Sequence, residues 1–234
     1  MPDNETDLPI YAIMHEKCGF GPVHEQVLNK IGEGKKVLDV GCSTGYFAKE
    51  IKQKLGGIVD GVEPDRRAFE LAKKNTRTLY EGSIDDPGLL SKIKDKYDAV
   101  LFLDVLEHLT DPKAVLISIQ RILAEKGAVI ASVPNIANWR IRLSLLFGRF
   151  DYTDVGILDR THLRFFTIKT VKDMFNEAGY EIEDIGFTLG ISNAVTKSVP
   201  GAARNVIRDK VKKLFRYFPG LFANQFIIKA VVRK

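Results

Sequence analysis

Cysteine is nearly absent from this chain: its 234 residues hold two, Cys18 and Cys42. They lie too far apart in sequence to form a metal-ligand spacing, so a thiolate metal centre is not expected and two ordinary thiols in a cytoplasmic protein are. No apolar run reaches about 18 residues, which argues against a bilayer-spanning segment. The stretch from Met1 to Pro9 is acidic and polar, without the basic and apolar regions of a secretory leader. Acids are scarce at the other end. From Thr196 to Lys234, ten basic residues stand against one acid, Asp209, although the whole chain carries only +5, so the body is mildly acidic and the C-terminal segment strongly basic. Such a segment suits an anionic surface. It has no aromatic-interleaved basic stripe and no recognition motif for nucleic acid, which is therefore not the expected partner.

A hydrophobic content of 45% beside 28% charged residues is that of a globular protein, and the length suits one α/β domain with insertions. The chain is organised around residues 36–63. A strand (Lys36 to Val40) runs into a glycine turn (Gly41-Cys42-Ser43-Thr44-Gly45). A helix follows from Tyr46 to Leu55 with Phe47, Ile51 and Leu55 at helical spacing, then a second strand from Ile58 to Glu63. Such a βαβ unit binds a nucleotide-like ligand across the C-terminal ends of its strands. The dinucleotide fingerprint G-x-G-x-x-G brings a helix N-terminus to a pyrophosphate. Here the pattern is Asp39-x-Gly41-x-Ser43-x-Gly45. A carboxylate two residues before the first glycine repels a diphosphate and favours a ligand with an ammonium and a sulfonium but no phosphate. S-adenosylmethionine is such a ligand, and Glu63 is placed to accept hydrogen bonds from both of its ribose hydroxyls.

The stretch from Val37 to Phe47 resembles motif I of the class I S-adenosylmethionine-dependent methyltransferases, with Ser43 where many members have glycine, a place serine tolerates if φ is negative. The resemblance covers roughly Leu28 to Val232. It implies a Rossmann-like, doubly wound seven-stranded α/β sheet, parallel with one antiparallel strand and with helices on both faces. The strands match: Arg77–Tyr80, Tyr97–Asp104, Ala128–Val133, Glu181–Phe187 and Gln225–Val232 follow the first two, the last suiting the antiparallel place beside the fifth. Helices are read at Pro22–Ile31, Pro64–Lys74, Pro87–Lys94, Lys113–Leu123 and Thr167–Ala178. The resemblance also implies cofactor contacts: Asp39, Gly41, Cys42, Ser43 and Gly45 at the methionine end, Glu63 and Pro64 at the ribose, Ile84 and Asp85 at the adenine, and Asp104 and Val105 near the transferred methyl. Asp85 is equally placed to cap the helix that starts at Pro87.

Methyl transfer from a sulfonium is an in-line displacement, and a hydroxyl acceptor needs a base of near-neutral pKa, for which histidine is suited. His162 lies in a charged stretch before the paired Phe165 and Phe166 and is the first choice; its bland alternative is a structural network with Asp159, Arg164 or the backbone. His108 is the second choice. The segment from Asp104 to Pro112 is similar to the ubiquinone-type small-molecule methyltransferases, among which Asp104, Glu107 and His108 match a divalent-metal set; the same Glu-His pair is common in members without metal, and no metal is expected here. His15 and His24 precede the first strand, where a lid is common in this family, but are read as solvent-facing.

Residues 134–166 and 190–223 exceed the minimal fold and, following strand C-termini, are read as acceptor-side insertions, with 1–21 as a disordered or lid segment of a single domain 1–234. The first insertion is similar to that of a subgroup resembling enzymes of cell-surface glycan assembly. Within the second, Ile207, Val211, Leu214, Phe215 and Phe218 form an apolar helical face among bases, a pattern that either packs on the domain or lies on an anionic membrane. The sequence thus points to O-methylation of a small molecule, sugar or lipid-linked glycan, with S-adenosylhomocysteine as product. An RNA methyltransferase or a non-catalytic scaffold is the alternative.

Overall fold

The computed structural model describes residues 21–189 and 217–234. Its elements run α1 (Pro22–Ile31), β1 (Lys36–Val40), α2 (Tyr46–Leu55), β2 (Ile58–Glu63), α3 (Arg66–Ala72), β3 (Leu79–Glu81), α4 (Pro87–Lys92), β4 (Tyr97–Leu103), α5 (Pro112–Ile119), β5 (Leu123–Pro134), α6 (Trp139–Leu146), α7 (Ile168–Glu177), β6 (Tyr180–Leu189), α8 (Pro219–Phe222) and β7 (Ala223–Val232). The stretch 1–20, with His15 and Cys18, and the stretch 190–216, with most of the basic amphipathic pattern, lie outside the described residues.

The strands form one sheet in the order β3-β2-β1-β4-β5-β7-β6. β1 to β5 pair in parallel, while β7 runs antiparallel to both β5 and β6. The order reverses between β1 and β4, and a ligand cleft belongs outside the strand ends at such a switch. Alternation along the buried strands builds a core on each face. Val100 and Phe102 of β4 join Leu38 and Val40 of β1 with Leu116 of α5 and Phe175 of α7. Ala99 and Leu101 join Val37 of β1 with Phe47 and Ile51 of α2 and Val27 of α1. Each such Leu or Phe contributes about 1.5–3 kcal/mol by leaving water.

Local chemistry sets the helix ends. Pro22 opens α1 and Gly32, at φ 82°, closes it. The Asp65 carboxylate accepts from the N–H groups of Arg67 and Ala68 at 3.0 and 2.8 Å, so α3 begins after that cap rather than at Pro64. Under the sheet, fully buried Asp60 accepts from the Arg77 guanidinium, the Tyr97 hydroxyl at 2.9 Å and the Thr78 N–H at 3.0 Å. Those bonds satisfy a charge that would otherwise be costly to bury. No helix among the described residues is long and apolar enough to cross a membrane.

Candidate active site

A cavity of about 780 Å³ opens at the C-terminal ends of β1, β2 and β4. Its wall includes Asp39, Gly41, Cys42, Ser43, Glu63, Pro64, Ile84, Asp85, Asp104 and Val105. Gly45 stays out of the wall and serves as the start of α2. It sits at φ 71°, where a Cβ would come within 3.1 Å of Ala72 and Asn75. Gly41, also at φ 71°, has a contact role: a Cβ there would lie 2.8 Å from Val105 Cγ2. The glycine therefore lets the turn after β4 close on the turn after β1.

Ser43 departs from the sequence expectation. Its φ is +50°, in the left-handed region rather than at a negative angle. The reason is the hydrogen bond this conformation makes: Ser43 N–H donates to Glu63 Oε2 at 2.7 Å, while Asp65 N–H donates to Oε1 at 2.9 Å. The left-handed angle costs about 1–2 kcal/mol and a bond to a carboxylate returns about 1.5–3 kcal/mol, so the clamp prevails. Glu63 keeps further lone pairs for a ligand's hydroxyls. The Ser43 hydroxyl is buried in the cavity wall and has no hydrogen-bond partner among the described residues.

Asp39 is 3% exposed. Burial, and then the neighbouring Glu63 carboxylate, push its pKa up to about 7. Burial also raises Glu63, against the N–H groups of Asp65 and Ser43 that favour its charge. Two crowded carboxylates with an orphaned hydroxyl between the strand ends fit a cationic nucleoside such as S-adenosylmethionine and disfavour a phosphate. Cys42, buried beside them, is held as the neutral thiol by burial and both acids, the inert kind of cysteine. On the far side, Asp86 caps α4 by accepting from Gly88 N–H at 2.8 Å. Asp85 is thus not that cap and lines the cavity with Ile84.

Asp104 has φ +54°. Its N–H donates to Ser132 Oγ at 3.0 Å, and its carboxylate accepts from the Ser132 hydroxyl at 2.8 Å and from the Gln225 amide at 2.8 and 2.9 Å. Burial raises its pKa against those two donors. Gln225 comes from β7, whose register sets it opposite Pro134 of β5. Sequence reasoning missed it as a site residue, having only its place at a strand end to go on. His24 was missed as well. It is 8% exposed rather than solvent-facing and lines the cavity with Tyr46. Its Nδ1 accepts from Gly21 N–H at 3.3 Å, so Nε2 donates to the Tyr46 hydroxyl at 3.0 Å.

The two candidate bases meet. Leu163 and Arg164 donate their N–H groups to the Glu107 carbonyl at 2.8 and 2.9 Å, pinning the first insertion to the turn after β4. The His108 and His162 rings then pack edge to face, 4.9 Å apart. His108 lines the cavity and His162 lies behind it, 9% exposed. His108 Nδ1 donates to the Thr161 carbonyl at 3.2 Å and His162 Nδ1 to the Ile157 carbonyl at 3.2 Å. Burial, then His108, holds His162 below its ordinary pKa. Arg164 donates to the Thr110 carbonyl, Phe166 enters the core and Phe165 packs against Phe150 and His162. Glu107 is 1% exposed, and neither carboxylate oxygen has a partner among the described residues; burial, then Asp104, pushes its pKa well above the usual range.

The model of the methyltransferase-domain family matches residues 14–185. A ubiquinone biosynthesis O-methyltransferase of Psychrobacter arcticus is 29% identical over 179 residues, 72% of this chain and 68% of that protein. One from Haemophilus ducreyi is 33% identical over 110 residues, 44% of this chain and 46% of that protein. The chain thus spans about half to two thirds of the length of such relatives. Among solved structures, an S-adenosylmethionine-dependent methyltransferase from Archaeoglobus fulgidus superposes with TM-score 0.63 at 18% identity, covering 94% of this chain and 99% of that one. One from Geobacter sulfurreducens, in complex with S-adenosylhomocysteine, gives 0.56 at 12% identity, covering 95% and 98%. These two likenesses establish the fold. A family match over most of the chain leaves one assignment: the chain belongs to the methyltransferase-domain family, as an S-adenosylmethionine-dependent methyltransferase.

Proposed function

We propose that this enzyme moves the methyl group of S-adenosylmethionine to a hydroxyl oxygen of a small-molecule acceptor, with a histidine taking the hydroxyl proton. The observation that carries this reading is His108 in the same cavity wall as the glycine turn and Asp104. The O-methyltransferase relatives support an oxygen acceptor, and a sugar or lipid-linked glycan hydroxyl belongs to the same chemical class. The acceptor oxygen attacks the methyl carbon in line, and the carbon–sulfur bond breaks with its electron pair left on sulfur. The products are the methyl ether, S-adenosylhomocysteine and a proton carried by His108. His162 steadies the His108 ring from behind, and Val155 and Gly156 of the 134–166 insertion complete the acceptor side. The test is to compare His108→Ala and His162→Ala for transfer rate and cofactor affinity against a panel of phenols and glycosides. Unslowed transfer in both would remove the histidine base. Cofactor binding with no turnover on any acceptor would instead favour a scaffold, and RNA binding that falls steeply with salt would favour an RNA substrate.

A second reading concerns location. α6 buries none of its side chains. Leu143, Leu146 and Phe147 are 46%, 77% and 72% exposed, in a stretch that also carries Arg140, Arg142 and Arg149. Apolar side chains among arginines favour peripheral contact with an anionic bilayer. Flotation with liposomes with and without anionic lipid tests it, and equal recovery from both would dismiss it.

A further inference from the structure

The resemblance to ubiquinone-type enzymes raises a divalent metal on Asp104, Glu107 and His108, and the fold does not assemble that set. Asp104 is taken up by Ser132 and by both bonds from Gln225. The groups whose ligand atoms converge, all within 4.8 Å of one another, are Glu107, His108 and His162. We infer that this second set, one carboxylate and two imidazoles, is a site for a divalent cation of the zinc class.

Three observations carry the inference. The first is the pair of orphaned oxygens. Glu107 is 1% exposed, and both carboxylate oxygens are buried without a hydrogen-bond partner among the described residues, a costly state unless a donor or a positive charge completes it. His162 does not complete it, because Nε2 lies 3.9 Å from Glu107 Oε1, beyond hydrogen-bond reach. The second is the tautomer. A carbonyl only accepts, so the bonds to Thr161 and Ile157 put the proton of each ring on Nδ1. Each Nε2 therefore carries the lone pair, the arrangement by which outer partners prepare a metal-ligating histidine. The third is composition. Two nitrogens and one oxygen suit zinc and its d-block neighbours, whereas magnesium prefers an all-oxygen octahedron with several waters. Three protein ligands also leave a fourth position open, as in catalytic rather than structural zinc sites.

A tetrahedral zinc at about 2.0–2.1 Å from each ligand holds them about 3.3 Å apart, so binding draws the three groups inward by about 1 Å, within the reach of small side-chain rotations. The inference deepens the acceptor side of the reading above and rests on it only for the place of the site beside the acceptor. Filling the site engages His108 as a ligand, so cation binding and base catalysis compete for one side chain.

The test uses the full chain without an affinity tag, stripped with a chelator and titrated with ZnCl2, CoCl2 and MgCl2 in the absence of cofactor and acceptor. Zinc and cobalt are expected to bind one to one, with the strong visible band of four-coordinate cobalt, and magnesium not to compete. Glu107→Gln and His162→Ala should each weaken zinc by more than the 10- to 100-fold that outer-shell changes cost, while Asp104→Asn keeps both stoichiometry and band. In the wild type, zinc should protect His108 and His162, but not His24, from diethyl pyrocarbonate, read by peptide mapping, so the outcome does not depend on the variants folding. No zinc binding, or loss with Asp104→Asn but not with His162→Ala, or protection at His24 alone, overturns the site. Methyl transfer intact without zinc binding removes the cation alone. Zinc binding intact with no transfer to any hydroxyl removes the O-methylation reading alone.

Discussion

The cavity has two halves built in opposite ways. The glycine-turn half is nearly contiguous: Asp39, Gly41, Cys42, Ser43 and Glu63 fall within one βαβ unit, and the Glu63 clamp on Ser43 and Asp65 closes it locally. The histidine half is assembled from afar. Asp104 is held by Ser132 of β5 and Gln225 of β7, and His108 meets His162 because Leu163 and Arg164 bond the Glu107 carbonyl. Local construction resists perturbation elsewhere in the chain. Long-range construction makes the histidine half depend on the packing of the insertion, so the two halves should fail separately.

The sharpest separation comes from His108→Ala. Removing a proton acceptor at the cavity wall should lower kcat about 10²–10⁴-fold with cofactor affinity unchanged in calorimetry; an equal loss in affinity would erase the distinction between halves. The converse is Glu63→Gln, which leaves one of the two turn N–H groups with only a neutral acceptor and sets the other against an amide donor. Cofactor binding should weaken about 10- to 100-fold, with saturated turnover changed far less. The pH dependence of cofactor binding belongs to the same half. Burial, and then Glu63, push the Asp39 pKa up to about 7, and a bound ammonium favours its ionised form. Affinity should therefore be flat above about pH 7 and fall below it by up to about tenfold per unit; calorimetry at stepped pH that finds no fall would detach Asp39 from the ligand's charge. Gln225→Leu removes two bonds from Asp104 and should raise that carboxyl further, slowing transfer severalfold while leaving cofactor affinity near wild type. Smallest is Ser43→Gly. It relieves a left-handed serine and should raise stability by about 1 kcal/mol, seen as a modestly higher melting temperature; a drop would mean that the buried hydroxyl is worth more than the strain.

Much of the fold was legible because its signals are local. The apolar runs placed β1 and β2, Thr167 placed the start of α7, and the acid–glycine–acid spacing marked residues of the cavity wall. The misreadings have physical causes. A serine's φ follows its hydrogen-bond acceptor, and Glu63 is twenty residues away in sequence. Asp85 and Asp86 are adjacent, and only the geometry at Gly88 shows which one caps. His24 reads as a helix-surface residue until Tyr46 comes within 3.0 Å of its ring.

By itself, then, the sequence determined the βαβ unit and the carboxylates at its successive strand ends, since alternation, turn glycines and side-chain identity act within a few residues of one another. Only the tertiary structure decided which histidine lines the cavity, that Asp104 is tied to β7 and that the Glu107 carboxylate, with no hydrogen-bond partner among the described residues, lies beside two imidazoles. Those relations follow from strand register and from an insertion folding back on a turn, and no spacing along the chain encodes the distance between side chains that meet only across the sheet.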